Sequence, residues 1–435
     1  MGKDSLVTDQ SILHSYVEVV NSDNIGGNVR ENDFVVARPR STDEVARIVR
    51  FAARKKIPLI ARGAGTSREG ATLPLPKSVV VDFTTMSRIL DVNVENGTVL
   101  AQPGIALDLL EEKLNERGLS VGHGPEHATL GGSIGTNSLG QGSSRFGDMR
   151  NFVADLEVVV GEGTVFHTGR AVWRNNTGYS LTQLFIGSEG TLGLITAVTL
   201  KAGARPESTQ KRMYAFQSPL DHVVSVARGI EGAFLPDGNR VDDEARNDGE
   251  VSTIRVTFRG KREVVELQTK LCDEFVSARG GQVVPDDIAA DLVQKRSAKG
   301  FEMGVRPTEA RNVPEEPALR FSDWKSSLEK WKNLCERHEI DYHGCQLNIS
   351  YPGVITFYSG YSTNRPEKVE SYRLLMREFY SYVIERQGSF SATHGVGKRM
   401  SGFMSAQYSK EYLELMRRIK GVFDPLNIFN PSAVL

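Results

Sequence analysis

The sequence predicts an α+β protein, with a strand-rich, glycine-dense first half and a second half of repeated β-α-β units. Three observations carry this. Apolar runs of strand length outnumber helical patterns up to about residue 204 and show no regular βαβα rhythm. From His123 to Leu200 the chain is dense in Gly beside Ser, Thr and Asn, without low-complexity repetition, so its backbone can turn tightly and face a ligand with bare N–H groups. Around Ala204-Arg-Pro-Glu207 the composition shifts to more charge and less Gly, as at a domain boundary.

At 435 residues the chain is too long for one small core, so two or three domains are expected. Hydrophobic residues at 39% and charged residues at 25% are ordinary globular composition. A formal net charge of −1 supplies no basic field for a nucleic-acid backbone, which argues against that partner class. Cys272, Cys335 and Cys345 form no C-x-x-C pair, against an iron–sulfur cluster, a zinc ribbon or a disulfide framework. Asp4 and Asp9 near the start, without an apolar stretch, lead to the expectation of no signal peptide, and no run of 18 apolar residues occurs that would predict a membrane span. The location expected is cytoplasmic, with peripheral attachment to a membrane left open.

Residues 1–33 read as a polar extension with one short helix, and order is expected to begin at Phe34. Ser41-Thr-Asp-Glu44 is a capping box, and Val45, Ile48, Val49 and Ala52 behind it predict a helix to about Lys55. Ile57–Ala61 reads as a short buried strand ending in Arg62-Gly-Ala-Gly-Thr-Ser67. A Rossmann reading of that loop fails: Arg68 stands where the third Gly belongs, and Pro74 and Pro76 forbid the helix that should follow. The loop then either holds phosphate with its own N–H groups or is an ordinary tight turn. Further on come a strand at Ser78–Phe83 and a hairpin turning at Asn96-Gly97. A helix over Ile105–Arg117, the long loop through 124–140, and a second hairpin around Gly161-Glu-Gly163 follow. The apolar segment Leu181–Ile186 leads to the turn Gly187–Gly190 and a strand over Leu192–Leu200.

These motifs carry a resemblance. Arg62-Gly-Ala-Gly-Thr-Ser67, Ala128-Thr-Leu-Gly-Gly-Ser-Ile-Gly-Thr-Asn137, Arg145-Phe-Gly147, Thr177-Gly-Tyr179 and Gly187-Ser-Glu-Gly-Thr-Leu-Gly-Leu-Ile195 occur in order. Phe34–Lys201 thereby resembles the FAD-binding PCMH-type domain of the vanillyl-alcohol-oxidase superfamily. Within it the chain is most similar to the glycolate oxidase catalytic subunit, D-lactate dehydrogenase and alkylglycerone-phosphate synthase group. The resemblance implies a two-subdomain FAD domain over 34–204, a ferredoxin-like cap over 205–388 and a return segment over 389–435. It also implies FAD held by three loops. The first contributes Arg62, Gly63, Ala64, Gly65, Thr66 and Ser67. The second contributes Pro125, Glu126, His127, Thr129, Gly131, Gly132, Thr136, Asn137 and Ser138, and the third Glu189, Gly190, Thr191, Gly193 and Ile195. Some relatives attach the flavin to a His just after the first Gly pair; Thr66 stands there, so non-covalent FAD is expected.

In the second half, Lys211–Phe216 and Val251–Phe258 read as strands, and Arg262–Ala278, Asp323–His338 and Pro366–Arg386 as helices. A helix is also expected near Asp221, a strand at Val354–Tyr358, and a less regular part around Pro307, Pro314 and Pro317. The final stretch runs from Ser391-Ala-Thr-His-Gly-Val-Gly-Lys398 through a helix at Lys410–Lys420 to Phe423-Asp-Pro-Leu-Asn-Ile-Phe-Asn-Pro431, and resembles the family's C-terminus.

The chemistry expected centres on His394. Oxidising a 2-hydroxy acid needs a base for the hydroxyl proton while hydride leaves carbon for flavin N5, and an imidazole of pKa about 6.5 suits that task. A structural hydrogen bond is the alternative for His394. His123 and His127 read as loop hydrogen-bonders, with flavin contact left open, because Gly124 and Pro125 exclude a helical zinc pair. Lys398 and Arg399 are the nearest cations for a substrate carboxylate, with Arg311 and Arg320 behind them. Metal-dependent relatives place Glu before the His and pair two His in the cap; this chain has Thr393 and only His343, so no metal is expected. Three functions stay open: an FAD-dependent dehydrogenase of a small 2-hydroxy acid, an ether-forming synthase, or a flavin-binding subunit of a larger redox complex. The expected partners are the hydroxy acid and an electron acceptor (quinone, cytochrome or partner subunit), and a homodimer is among the assemblies left open.

Overall fold

The computed structural model describes residues 6–7, 9–17, 29–124, 127–140, 143–244, 251–290, 310–350, 353–362 and 366–435. The observed class is α+β, as predicted. The chain divides into two compact units, one of Met1–Gln141, Gly147–Arg205 and Thr393–Leu435, the other of Gly142–Phe146 and Pro206–Ala392.

The first unit holds two sheets. Strands β1 (Leu6–Val7), β2 (Val35–Ala37), β3 (Leu59–Arg62) and β4 (Val79–Asp82) form a sheet in the order β1-β2-β4-β3. Within it β2, β4 and β3 are parallel and β1 is antiparallel. The helix Thr42–Lys55 starts at the predicted cap: Ser41 Oγ accepts the Glu44 N–H, while the Glu44 carboxylate accepts the N–H of Arg40, one residue before the cap, rather than that of Ser41. It buries Val45, Ala46, Ile48, Val49 and Ala52 together with Leu59 and Val81. The second sheet is antiparallel, with β5 (Ile89–Asn93), β6 (Thr98–Ala101), β8 (Val153–Val160), β9 (Thr164–His167) and β10 (Leu194–Lys201) in the order β5-β6-β10-β8-β9. Both predicted hairpins are present, β5–β6 and β8–β9. The short pair β7 (Leu119–Ser120) and β11 (Gly203–Ala204) completes the unit's strands among the described residues.

Two expectations for this unit are corrected. Order begins before Phe34: β1 pairs with β2, the helix Gln10–Val17 follows, and Leu13 and Tyr16 are buried in a core cluster with Phe34, Val36, Ile60 and Val80. The stretch expected to be loop contains a helix, Leu130–Thr136, that ends at Asn137 in a left-handed conformation. Glycine disfavours helices, but Leu130 and Ile134, one turn apart, are fully buried, and packing overrides propensity.

The second unit is one antiparallel sheet of seven strands. These are β12 (Ser208–Phe216), β13 (Gly238–Glu244), β14 (Val251–Gly260), β15 (Gln282–Val283), β16 (Ala310–Glu315), β17 (Asp341–Asn348) and β18 (Ile355–Ser362), in the order β15-β12-β14-β13-β17-β18-β16. The first four alternate with helices Leu220–Phe234 and Arg262–Ser277 and have the ferredoxin-like order. The last three, with helices Trp324–His338 and Pro366–Glu385, repeat that order without its fourth strand, and β13–β17 pairing joins the halves. One register line, Tyr214–Ile254–Val241–Leu347–Ile355, runs buried across five strands. Trp331 stacks on Phe357 at 4.9 Å and meets the edge of Phe379 at 4.7 Å, fastening two helices to the sheet.

Strand β13 escapes sequence reading because Val241 is its only apolar residue; Asn239, Asp242 and Asp243 are buried all the same, and Arg255 Nε donates to Asp242 at 2.6 Å. Pro314 lies inside β16 rather than in irregular chain, which the sheet tolerates because β16 is an edge strand. Pro307 falls outside the described residues.

Candidate functional site

Within the first unit the three glycine-rich loops converge. A Cβ on Gly63 would lie 2.0 Å from Thr129 Oγ1, so the first loop meets the second there with no room for a side chain. A Cβ on Gly190, whose φ is +68°, would lie 3.0 Å from Ala61 Cβ, bringing the third loop onto the end of β3. The Gly187 and Glu189 N–H groups donate to Ile134 O at 2.9 Å and Gly135 O at 2.8 Å, tying the third loop to the helix of the second.

The polar groups of this junction do not satisfy one another. Arg62 Nη1, Ser67 Oγ, Thr72 Oγ1, Thr129 Oγ1 and Asn137 Oδ1 are buried without a hydrogen-bond partner among the described residues. Such groups are costly unless something pairs with them. A flavin dinucleotide, carrying phosphate and hydroxyl oxygens and ring nitrogens, is the kind of molecule that would. The residues present fit FAD.

The remaining sequence-derived candidates fall as follows. Ala64 and Thr66 are exposed on the first loop, and Gly65 takes φ +76°. Pro125 and Glu126 lie outside the described residues. His127 is exposed with φ +59°, its N–H donating to Asp108 Oδ2 at 3.3 Å. Gly131 packs on Pro103, whose Cβ would be 2.6 Å from an added Cβ. Thr136 Oγ1 donates to Gly132 O at 3.2 Å, while the Ser138 and Ser133 hydroxyls pair with each other. Thr191 Oγ1 donates to Ser188 O at 2.7 Å, Gly193 leaves room for Val159 O, and Ile195 packs into the core in β10. His123 is neutral and structural: it stacks on Phe152 at 4.7 Å, and burial pushes its pKa down to about 4.

The return segment is stitched into this cradle. Asn430 Nδ2 donates to Ala71 O and Glu189 O, and its Oδ1 accepts from Lys398 Nζ at 3.0 Å. Lys420 Nζ reaches Thr191 O, Asp424 and Phe429 O. Glu189, expected in the third FAD loop, ties that loop to the return segment. Its carboxylate is buried and accepts the N–H groups of Val396 and Gly397, in the turn that carries His394.

Lys398 and Arg399, expected at a substrate carboxylate, both make hydrogen bonds within the protein. Lys398 Nζ lies against Leu73 O at 2.9 Å, Asn430 Oδ1 at 3.0 Å, Ala71 O at 3.3 Å and Gly70 O at 3.5 Å, which occupies all three of its protons. Burial pushes its pKa down to about 8, with Glu189 opposing. Arg399 Nε donates at 2.6 Å to Glu69, itself only 5% exposed. His394 is half-buried on the Gly-flanked turn. Of the other candidates, Arg320 Nε donates to Asp323 Oδ2 at 3.0 Å, and Arg311 and His343 lie in β16 and β17. Among the described residues no group of three or more His, Cys, Asp and Glu is placed to hold a metal ion, and no helix is long and apolar enough to cross a membrane.

Sequence reasoning passed over Glu69, Asn430 and Tyr16. Asn430 lies inside the C-terminal stretch that was singled out; Glu69 and Tyr16 carry no local signal, because their roles come from partners far along the chain.

A cradle of buried unpaired polar atoms where three glycine-rich loops meet suits a dinucleotide such as FAD. Comparison with known families agrees: residues 34–169 match the FAD binding domain and residues 231–434 the C-terminal domain of FAD linked oxidases. The chain belongs to the PCMH-type flavoprotein superfamily. It is 29% identical to glycolate oxidase subunit GlcD of Bacillus subtilis over 423 residues, 92% of this chain and 88% of that protein. It is likewise 29% identical to D-lactate dehydrogenase of Archaeoglobus fulgidus over 426 residues, covering 93% and 91%. The structure of an alkyldihydroxyacetonephosphate synthase superposes with a TM-score of 0.78 at 20% identity, over 99% of this chain and 84% of that one, a likeness of fold.

Proposed function

We propose that the chain dehydrogenates the CH–OH group of a small 2-hydroxy acid of the D-lactate or glycolate type. The observation that supports this most is the tether between Glu189 in the flavin cradle and the Val396–Gly397 backbone, which fastens the turn bearing His394 to that cradle. The names of the relatives support the substrate class.

Bound FAD would supply the hydride acceptor. His394 takes the hydroxyl proton as the carbon gives up hydride, so the alcohol leaves as a carbonyl with two electrons and two hydrogens removed. Lys398 and Arg399 hold the turn rather than the substrate. FAD is bound without a covalent link, since Thr66 offers no imidazole to attach it. The electrons pass on to an acceptor, and the word "subunit" in the name of the Bacillus relative supports a partner protein in that role.

Anaerobic mixing of the yellow holoprotein with a panel of 2-hydroxy acids tests the reading. Bleaching of the flavin by one of them is expected. Turnover of an acylated glycerone phosphate with no net flavin reduction would replace the reading with ether-bond synthesis.

A further inference from the structure

The first glycine-rich loop is shaped by residues that precede the FAD-binding match altogether. The guanidinium of Arg62 lies over the ring of Tyr16, 4.6 Å from its centroid, and Nη2 donates to Ser15 O at 2.9 Å. The same guanidinium also rests against Gly65: a Cβ there would lie 2.3 Å from Nη2 and 2.5 Å from Cζ. Gly65 has φ +76°, so both its conformation and its lack of a side chain are needed for the contact.

Tyr16 is itself fixed from behind. Its hydroxyl donates to Asp82 Oδ2 and accepts from Arg38 Nη2 at 2.9 Å, while Arg38 Nε donates to Asp82 at 2.8 Å. Burial, with Asp82 beside it, pushes the tyrosine up to about 12, so the hydroxyl stays protonated as a donor. Asp82 ends β4, next to Arg62 in the register of the parallel sheet. Arg62 thus touches both an aromatic ring and the loop it begins, and its Nη1 is buried with no partner among the described residues.

We infer that the helix Gln10–Val17 is a functional part of the FAD site: Tyr16 holds Arg62 at Gly65, fixing the first loop and presenting Nη1 to the dinucleotide. The inference rests on FAD binding by this unit and not on the identity of the substrate. The contact is a charge over an aromatic face in a largely buried site, where such contacts are strongest.

The test uses apoprotein of the full chain, titrated with FAD, with thermal unfolding of each apoprotein followed in parallel. Tyr16→Leu keeps apolar bulk but removes the aromatic face, and should raise the FAD dissociation constant roughly tenfold. Tyr16→Phe retains the face and should stay within about threefold of wild type. In an Arg62→Leu background Tyr16→Leu should add little, because its effect passes through the guanidinium. Equal FAD affinity in Tyr16→Leu and wild type, or full additivity of the two substitutions, would overturn the inference. A Tyr16→Leu protein that loses thermal stability but binds FAD normally would likewise reduce the segment to packing.

Discussion

The carboxylate of Glu189 accepts the Gly397 N–H at 2.8 Å, and the Val396 N–H at 2.6 Å, across more than 200 residues of sequence. It thereby joins the third cradle loop to the turn of His394. Burial, reinforced by Glu69, pushes Glu189 up to about 7, against the opposing effects of the two N–H groups and Lys398.

A pH dependence follows from that relationship. Because the folded pKa of Glu189 is raised, folding favours its protonated form. The stability it contributes is present below the ordinary carboxylate pKa and is lost as pH rises through about 7. Wild type should therefore lose stability relative to Glu189→Gln between about pH 4.5 and 7, measured by denaturant unfolding of the two proteins across that range. A constant difference would show that Glu189 does not titrate there.

Lys398 should behave as a fastener. Lys398→Met leaves Leu73 O and Asn430 Oδ1 without this donor and should cost about 1–3 kcal/mol of stability. A large rise in KM for a hydroxy acid with unchanged Tm would restore Lys398 to the substrate.

Two adjacent glycines should separate folding from flavin binding. A Cβ on Gly131 runs into Pro103, whereas one on Gly132 meets only Thr129 Oγ1, at 3.1 Å. Gly131→Ala is expected to impair folding. Gly132→Val should yield folded apoprotein with little or no FAD, read from flavin absorbance and the apoprotein Tm. Normal FAD content in Gly132→Val would move the cofactor elsewhere.

Activity should be independent of added metal. Thr393 precedes His394, and His343 has Ser350 rather than His seven residues on. Without a carboxylate and two imidazoles at these positions, a side chain is expected to take the hydroxyl proton unaided. Treatment with EDTA should leave the rate of flavin reduction unchanged; loss of activity and its return with zinc or manganese would contradict this.

The regular parts of the fold were legible in the sequence because their causes are local. Ser41 and Glu44 set a helix start, Asn96-Gly97 a hairpin, and spacing of the kind seen at Leu328, Trp331 and Leu334 a buried helix face. What escaped was non-local. Strand β13 is polar in composition and owes its place to pairing on both sides, and the Leu130–Thr136 helix owes its existence to packing around two buried residues. The cradle glycines were readable because a close approach of backbone demands them. Charge roles were not: Lys398 and Arg399 looked like free cations beside His394 until their carbonyl and carboxylate partners, more than 300 residues away, came into view.

The most direct test of the whole account is single-turnover flavin reduction by the preferred 2-hydroxy acid, under anaerobic conditions, in wild type and His394→Ala. Wild type should bleach. The variant should keep its FAD, released intact by acid precipitation, yet reduce it slower by roughly 10²-fold or more. Reduction of the variant's flavin at the wild-type rate would contradict the role given to His394, and a wild-type flavin that no hydroxy acid reduces would contradict the function itself.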